Sequence, residues 1–232
     1  MRDSGMNDEQ ERVDAYVTVA AEGAYETEVN RSRFRCLLAP AASETDAQQV
    51  IARIRREHPT AGHHCWAYVI GADAAVQRSG DDGEPGGTAG PPMLQMLTRR
   101  ELRYVVAVVS RWFGGTKLGA GGLIRAYGGA VGAALDTLGT VPRHRCRLAT
   151  VTVGHDRAGR LENDLRATGY ATVREVRYGT AVTIELALPA SRTDDFRARL
   201  ADATSGSARL ELGDETYTPG AAAPSSGPGK AD

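Results

Sequence analysis

Arg111, Lys117 and Arg125 are spaced through RWFGGTKLGAGGLIR, a stretch in which Gly114, Gly115, Gly119, Gly121 and Gly122 crowd between an apolar run and a helical pattern. Cations beside a glycine turn that opens a helix are the residue types that hold an anion. The turn leaves backbone N–H groups free, the helix dipole adds partial positive charge, and glycine admits a ligand close to the backbone. Phosphate is the natural candidate, and the local charge agrees. Between positions 99 and 125 stand Arg99, Arg100, Arg103, Arg111, Lys117 and Arg125 against Glu101 alone. The stretch is not a P-loop, because Lys117 is followed by Leu118 and the glycine spacing differs. Nor is it a dinucleotide fingerprint, because Ile124 stands where a third glycine is required. The same glycines would also serve a tightly packed helix–sheet contact, and Arg111, abutting Trp112 and Phe113, could instead form a structural ion pair with Asp81, Asp82 or Glu84, so both readings stay open.

Two other constellations could do chemistry. The segment Ser79 to Pro92, SGDDGEPGGTAGPP, carries Asp81, Asp82 and Glu84 among glycines and prolines. These acids could hold Mg²⁺, orient a base or solvate the turn, and a structureless loop of that length is usually functional or disordered. The run from Thr88 and Gly90 into Pro91-Pro92-Met93 reads as a helix start with a second set of free donors. His63, His64 and Cys65 offer three metal-ligand types in a row. In a strand, however, His63 and Cys65 share one face while His64 points to the other, and no second Cys/His pair stands at ligand spacing. No metal and no cofactor are expected. No Ser/His/Asp or Cys/His nucleophile arrangement and no HExxH motif is present, which points away from an enzyme and leaves no catalytic residue to name.

The elements that must position these residues can be read from periodicity. Tyr104 to Val109 is uniformly apolar, as in a central strand covered on both faces. From Leu118 the positions Ala120, Leu123, Ile124, Tyr127, Val131, Ala134, Leu135 and Leu138 fall three and four apart, the stripe of a core-facing helix, with Gly128, Gly129 and Gly132 on its flank. Upstream, strands are expected at Tyr16 to Ala20, Tyr25 to Val29, Phe34 to Leu38 and His63 to Ile70, and helices at Thr45 to Glu57 and from Pro91 to about Arg100. Leu138 to Pro142 reads as a short linker. Beyond it, strands at Cys146 to Val153, Ala171 to Tyr178, Ala181 to Leu188 and Ala208 to Tyr217 alternate with helices at Asp156 to Thr168 and Ser191 to Ala203. This is the β-α-β-β-α-β order of a ferredoxin-like sheet with two helices on one face. Arg143, Arg145, Arg147, Arg157, Arg160 and Arg166 form either a second basic surface or an ordinary solvated face.

The chain has 232 residues, of which 41% are hydrophobic, enough for two modest domains. The expected division is a disordered leader at 1–12, a first domain at 13–140, a ferredoxin-like domain at 143–217 and a disordered tail at 218–232. A net charge of −1 gives no global attraction to nucleic acid or membrane, so any such binding must be local. Three scattered cysteines and the lack of an apolar signal or membrane span are those of a cytoplasmic protein with free thiols.

Arg111-Trp112-Phe113-Gly114-Gly115, Leu118-Gly119-x-Gly121-Gly122-Leu123 and Ala126-Tyr127-Gly128 resemble the signature of the Impact family, in its bacterial YigZ-like branch. His63-His64-Cys65-Trp66-Ala67, Asp81-Asp82-Gly83-Glu84-Pro85 and Gly87-Thr88-Ala89-Gly90 match the same family in order and spacing, with Gly80 standing where the family has a serine. The resemblance implies an α+β fold. Its N-terminal domain is similar to the second domain of a small-subunit ribosomal protein, and its C-terminal domain to the last domain of elongation factor G. It also implies regulation of translation under stress, as in eukaryotic relatives. The function expected is a non-enzymatic cytoplasmic regulator that binds RNA, the ribosome or a translation-associated protein through the glycine-rich basic turn. The alternatives are a metal-assisted phosphate hydrolase using Asp81, Asp82 and Glu84, and a protein-interaction module that binds no nucleic acid.

Overall fold

The computed structural model describes residues 13–219, so the expected leader and all but the first two residues of the expected tail lie outside the described residues. The fold is α+β and the described residues divide into two compact units, 13–142 and 143–219.

The first unit runs β1 (Ala15–Val19), β2 (Gly23–Val29), β3 (Ser32–Pro40), α1 (Glu44–Glu57), β4 (His63–Ile70), β5 (Val76–Gly80), α2 (Gly90–Arg99), β6 (Val105–Trp112) and α3 (Gly119–Leu138). Five of these strands form a sheet in the order β2-β3-β6-β4-β5, every neighbour antiparallel. The apolar run therefore becomes the middle strand, as its composition requires. Val105, Ala107 and Val109 point to α2 and α3, while Val106 and Val108 point to α1, and all five are fully buried. Burying a valine rather than leaving it exposed contributes on the order of 1.5–3 kcal/mol, so this strand alone anchors both layers. Because the sheet is antiparallel, the ligand-placing rule of parallel α/β sheets does not apply to the end of β6.

Local chemistry explains the helix ends. Ser43 and Asp46 form a capping box on α1, Pro91 and Pro92 fill the first positions of α2, and α3 stops at Gly139 in a positive-φ conformation. Gly128 and Gly132 of α3 lie against Pro92 and Met96 of α2, the close helix contact that a stripe of glycines permits. Ala120 and Ile124, expected in the core, are exposed instead. Ile124 lies nearly in line with the buried Val131 two turns on, so α3 loses its cover toward its N-terminal end.

Two sequence expectations need correction. The long loop is shortened by β5, an edge strand whose polar composition, VQRSG, hid its pairing with β4. The supposed linker does not exist either, because β7 (Thr140–Val153) begins directly after Gly139.

In the second unit β7 is followed by α4 (His155–Thr168), β8 (Thr172–Tyr178), β9 (Val182–Pro189), a short 3₁₀ turn at Ala190–Arg192, α5 (Thr193–Thr204) and β10 (Arg209–Pro219). The strands lie in the order β10-β7-β9-β8, all antiparallel, which is the ferredoxin-like arrangement. Ala149, Val151, Ile184 and Leu186 bury one sheet face beneath Leu161 and Leu165 of α4 and Phe196 and Leu200 of α5. Thr218 and Pro219 belong to β10, paired with His144 and Arg143, so ordered structure extends into the segment expected to be a tail.

Because the second unit has its own core, residues 143–219 expressed alone are expected to melt in a single cooperative transition followed by circular dichroism. A molten or insoluble product would place the folding boundary elsewhere.

Candidate functional site

The loop between β5 and α2 organises the site, because each of its three acids ties down a different element. Left-handed backbone at Asp82, Gly83 and Gly87 curls the loop tightly, and Glu84 N–H donates to the Asp81 carbonyl at 3.0 Å. Asp81 accepts from the backbone N–H groups of Gly87 at 2.8 Å, Ala89 at 3.0 Å and Gly90 at 2.8 Å. It thus fills the N-terminus of α2, which has no side-chain cap of its own. Burial raises the Asp81 pKa, but the three N–H donors outweigh it and hold the carboxyl below its usual value. The second set of anion-binding donors expected at Thr88 and Gly90 is therefore occupied by the chain itself.

Asp82 fastens the loop to β4 and α1. One oxygen accepts from the His64 backbone N–H at 2.6 Å and the other from Arg55 at 2.5 Å, while His63 Nδ1 donates to the Asp82 carbonyl at 2.9 Å. His64 lies on the opposite face of β4, its Nδ1 at 2.9 Å from Ser110 Oγ. Burial lowers the His64 pKa and keeps the ring neutral. Cys65 donates to the Asp81 carbonyl at 3.0 Å, and burial pushes its thiol up to about 12, too high for a reactive thiolate. The divergence of His63 and His64 follows the strand alternation, and no three His, Cys, Asp or Glu side chains among the described residues gather as a metal group. Cys36 and Cys146, like Cys65, are buried free thiols.

Glu84 reaches furthest inward. Its Oε1 accepts from Arg111 Nη1 at 2.7 Å and from the Tyr127 hydroxyl at 2.7 Å, with His63 Nε2 at 3.9 Å. Arg111 is 6% exposed and Glu84 8%, so this is a buried ion pair completed by a hydrogen bond from α3. Burial raises the Tyr127 pKa far above its ordinary value and keeps the phenol protonated as a donor. Arg111 also approaches Ser32 Oγ at 3.5 Å and Phe34, while its Nε has no partner among the described residues. Pro85 and Thr88 close the loop, with Thr88 N–H and Oγ1 both donating to the Pro85 carbonyl.

The three cations expected to converge are thereby separated. Arg111 faces inward and its charge is spent on Glu84, whereas Lys117 and Arg125 are exposed, with no ion pair among the described residues. The glycines divide as well. Gly114 makes a close approach, since a Cβ there would stand 2.0 Å from the Arg31 carbonyl carbon. Gly115 and Gly119 have φ of 88° and 68°, which favour glycine. Gly122 leans on Leu118 of its own turn. A Cβ on Gly121 would meet only the Arg125 guanidinium at 3.6 Å, and one on Gly129 would meet nothing. The row Gly121, Arg125, Gly129 is therefore open, and packing accounts for only part of the glycine content.

The acids could serve a hydrolytic metal only by abandoning these partners, because all three carboxylates are engaged with arginines, a tyrosine or backbone donors. Sequence reading did not single out Ser32, Arg55 or Arg31. The buried hydroxyl of Tyr127 was the one available signal, since a tyrosine in a core needs an acceptor. In the second unit, Arg145 and Arg147 grip Glu215, Arg157 donates to the Thr204 carbonyl and Arg166 to Glu162. Those four arginines make internal bonds rather than a free basic patch.

Removing one partner of the buried pair leaves the other charge unpaired, so Glu84→Leu and Arg111→Met should each cost about 3–5 kcal/mol in urea denaturation. The double variant should lose clearly less than the sum. Gly121→Ala should stabilise α3 by about 1 kcal/mol. Gly114→Ala should cost at least about 2 kcal/mol by overpacking.

Residues 30–135 match the Impact N-terminal domain, and residues 151–207 match a domain of unknown function, DUF1949. The chain is 40% identical over 203 residues to the IMPACT family member YvyE of Bacillus subtilis, covering 88% of this chain and 93% of that protein. It is 36% identical over 200 residues to the IMPACT family member YigZ of Escherichia coli, covering 85% and 98%. Protein IMPACT of Xenopus laevis shares 35% identity over 94 residues, 38% of this chain and 30% of the frog protein. A crystal structure of a hypothetical protein, 36% identical, aligns over 85% of this chain and 96% of its own with a TM-score of 0.57. With two bacterial relatives matched over nearly their whole lengths, the chain belongs to the Impact family.

Proposed function

We propose that this protein is a non-enzymatic regulator of translation in the cytoplasm, binding RNA or the ribosome through the exposed face of the β6–α3 turn. The observation that carries this reading is the exposure of Lys117 and Arg125, without ion-pair partners among the described residues, beside glycines that packing does not explain. Arg31 is exposed beside the adjoining strand end, where Gly114 abuts the Arg31–Ser32 backbone. No acidic side chain caps α3, so its first N–H groups add positive potential to the same face. Membership of the Impact family, whose resemblance carries the expectation of a role in translation, favours this reading. The burial of Arg111 and the engaged carboxylates favour binding over hydrolysis, and none of the described helices is long and apolar enough to cross a membrane.

Fluorescence anisotropy of a labelled RNA, titrated at several salt concentrations, tests the proposal. Lys117→Ala and Arg125→Ala should weaken binding across sequences, each lowering the salt slope by about 0.7 for every single-strand phosphate left without its cation. Their stability should change by no more than about 0.5 kcal/mol, because both side chains are exposed. Equal RNA binding by the wild type and the double variant would refute this assignment and leave protein interaction as the use of the surface.

A further inference from the structure

Trp112 and Phe113 are consecutive aromatics at the end of β6 with opposite fates. Trp112 is held from several sides: its Nε1 donates to Thr60 Oγ1 at 3.1 Å, His58 meets it edge-on at 5.7 Å, and the Arg33 guanidinium lies 3.9 Å above its ring. Phe113 is 60% exposed, the most exposed phenylalanine among the described residues.

Flexibility does not explain that exposure. The residue before Phe113 is in register with Arg33 on β3. The residue after it donates its N–H to Ser32 Oγ at 3.2 Å and packs against backbone so closely that no side chain fits. Fixed backbone on both sides therefore presents the ring to solvent. The buried Arg111 guanidinium lies 5.7 Å from the ring centroid, and a cation near an aromatic face favours that ring geometry.

We infer that Phe113 is a stacking platform for an unpaired nucleobase, and that the ligand of this face is single-stranded RNA whose phosphates lie along Arg31, Lys117 and Arg125. This deepens the function proposed above and rests on it. An exposed ring among cations suits a strand whose bases are splayed out, because every base offers a π-face while its phosphate needs positive charge. A duplex keeps its bases stacked on one another and offers the ring nothing.

The test compares a short labelled oligoadenylate with an RNA duplex of equal length, binding each to wild type, Phe113→Ala, Phe113→Leu, Phe113→Trp and Lys117→Ala. Thermal melts confirm that each variant folds. Phe113→Ala and Phe113→Leu should weaken single-strand binding by about 5- to 100-fold with an unchanged salt slope, since they remove base stacking and leave every phosphate neutralised as before. Phe113→Trp should bind as tightly as wild type or more so, Lys117→Ala should lower the salt slope, and the duplex should bind more weakly and ignore position 113. Wild-type affinity in Phe113→Ala together with a reduced slope in Lys117→Ala would remove the stacking site and leave the cationic surface standing. Full binding by Phe113→Leu would likewise overturn stacking, because leucine keeps the apolar surface but has no π-face. Absence of RNA binding by the wild-type protein would overturn both this inference and the reading beneath it.

Discussion

The carboxylate of Glu84 is the point at which the first unit is locked. A single oxygen accepts from Arg111 on the middle strand and from Tyr127 on the longest described helix, so one buried loop residue joins sheet and helix layer. Such an arrangement is costly unless satisfied. Two charges leave water, and their mutual attraction offsets the loss only when geometry and additional hydrogen bonds are good. The tyrosine supplies that additional bond here, and the two preceding loop acids supply the geometry: Asp81 by binding the start of α2, Asp82 by binding β4 and α1. The acidic loop is a set of internal counter-ions, and its glycines are what allow three carboxylates in four positions to point in different directions.

That use of charge determines what remains for the surface. Of the cations in the glycine-rich stretch, the one with an internal acid opposite it is withdrawn into the core, and those without one stay outside. Surface character at the β6–α3 turn thus arises by subtraction. The tight approach of Gly114 to the β2–β3 turn adds Arg31 to the same neighbourhood, 83 positions earlier by the numbering. Closeness of that kind comes from strand pairing, not from sequence proximity.

Much of this architecture was legible because strong periodic signals coincide with its core. HHCWAYVI forms a strand with the boundaries its alternation indicates, the run through Val105 to Val109 becomes the middle strand, and the β-α-β-β-α-β order of the second unit is complete. The failures have physical causes. VQRSG is too short and polar to announce an edge strand, whose stability comes from pairing with β4. Ile124 has the right spacing for burial, but spacing cannot show where the cover over a helix ends. Arg111 looked available because its partner lies 27 residues away, a separation that only the folded chain closes. The ion pair was conceivable among three acids, and the choice of Glu84 depends on loop curvature that local composition does not encode.

Gly80 illustrates how such packing constrains sequence change. A Cβ at this position would stand 2.6 Å from the Trp66 ring on one side of the sheet, while the backbone of Gly80 is itself the surface against which the first residue of α2, Gly90, is pressed. The three positions are coupled by direct contact. A serine at position 80 would require the indole at 66 to shift. Enlargement at 90 would lift the helix that Asp81 holds. Substitutions at 66 and 80 are therefore coupled, because a change at one position alters what the other tolerates.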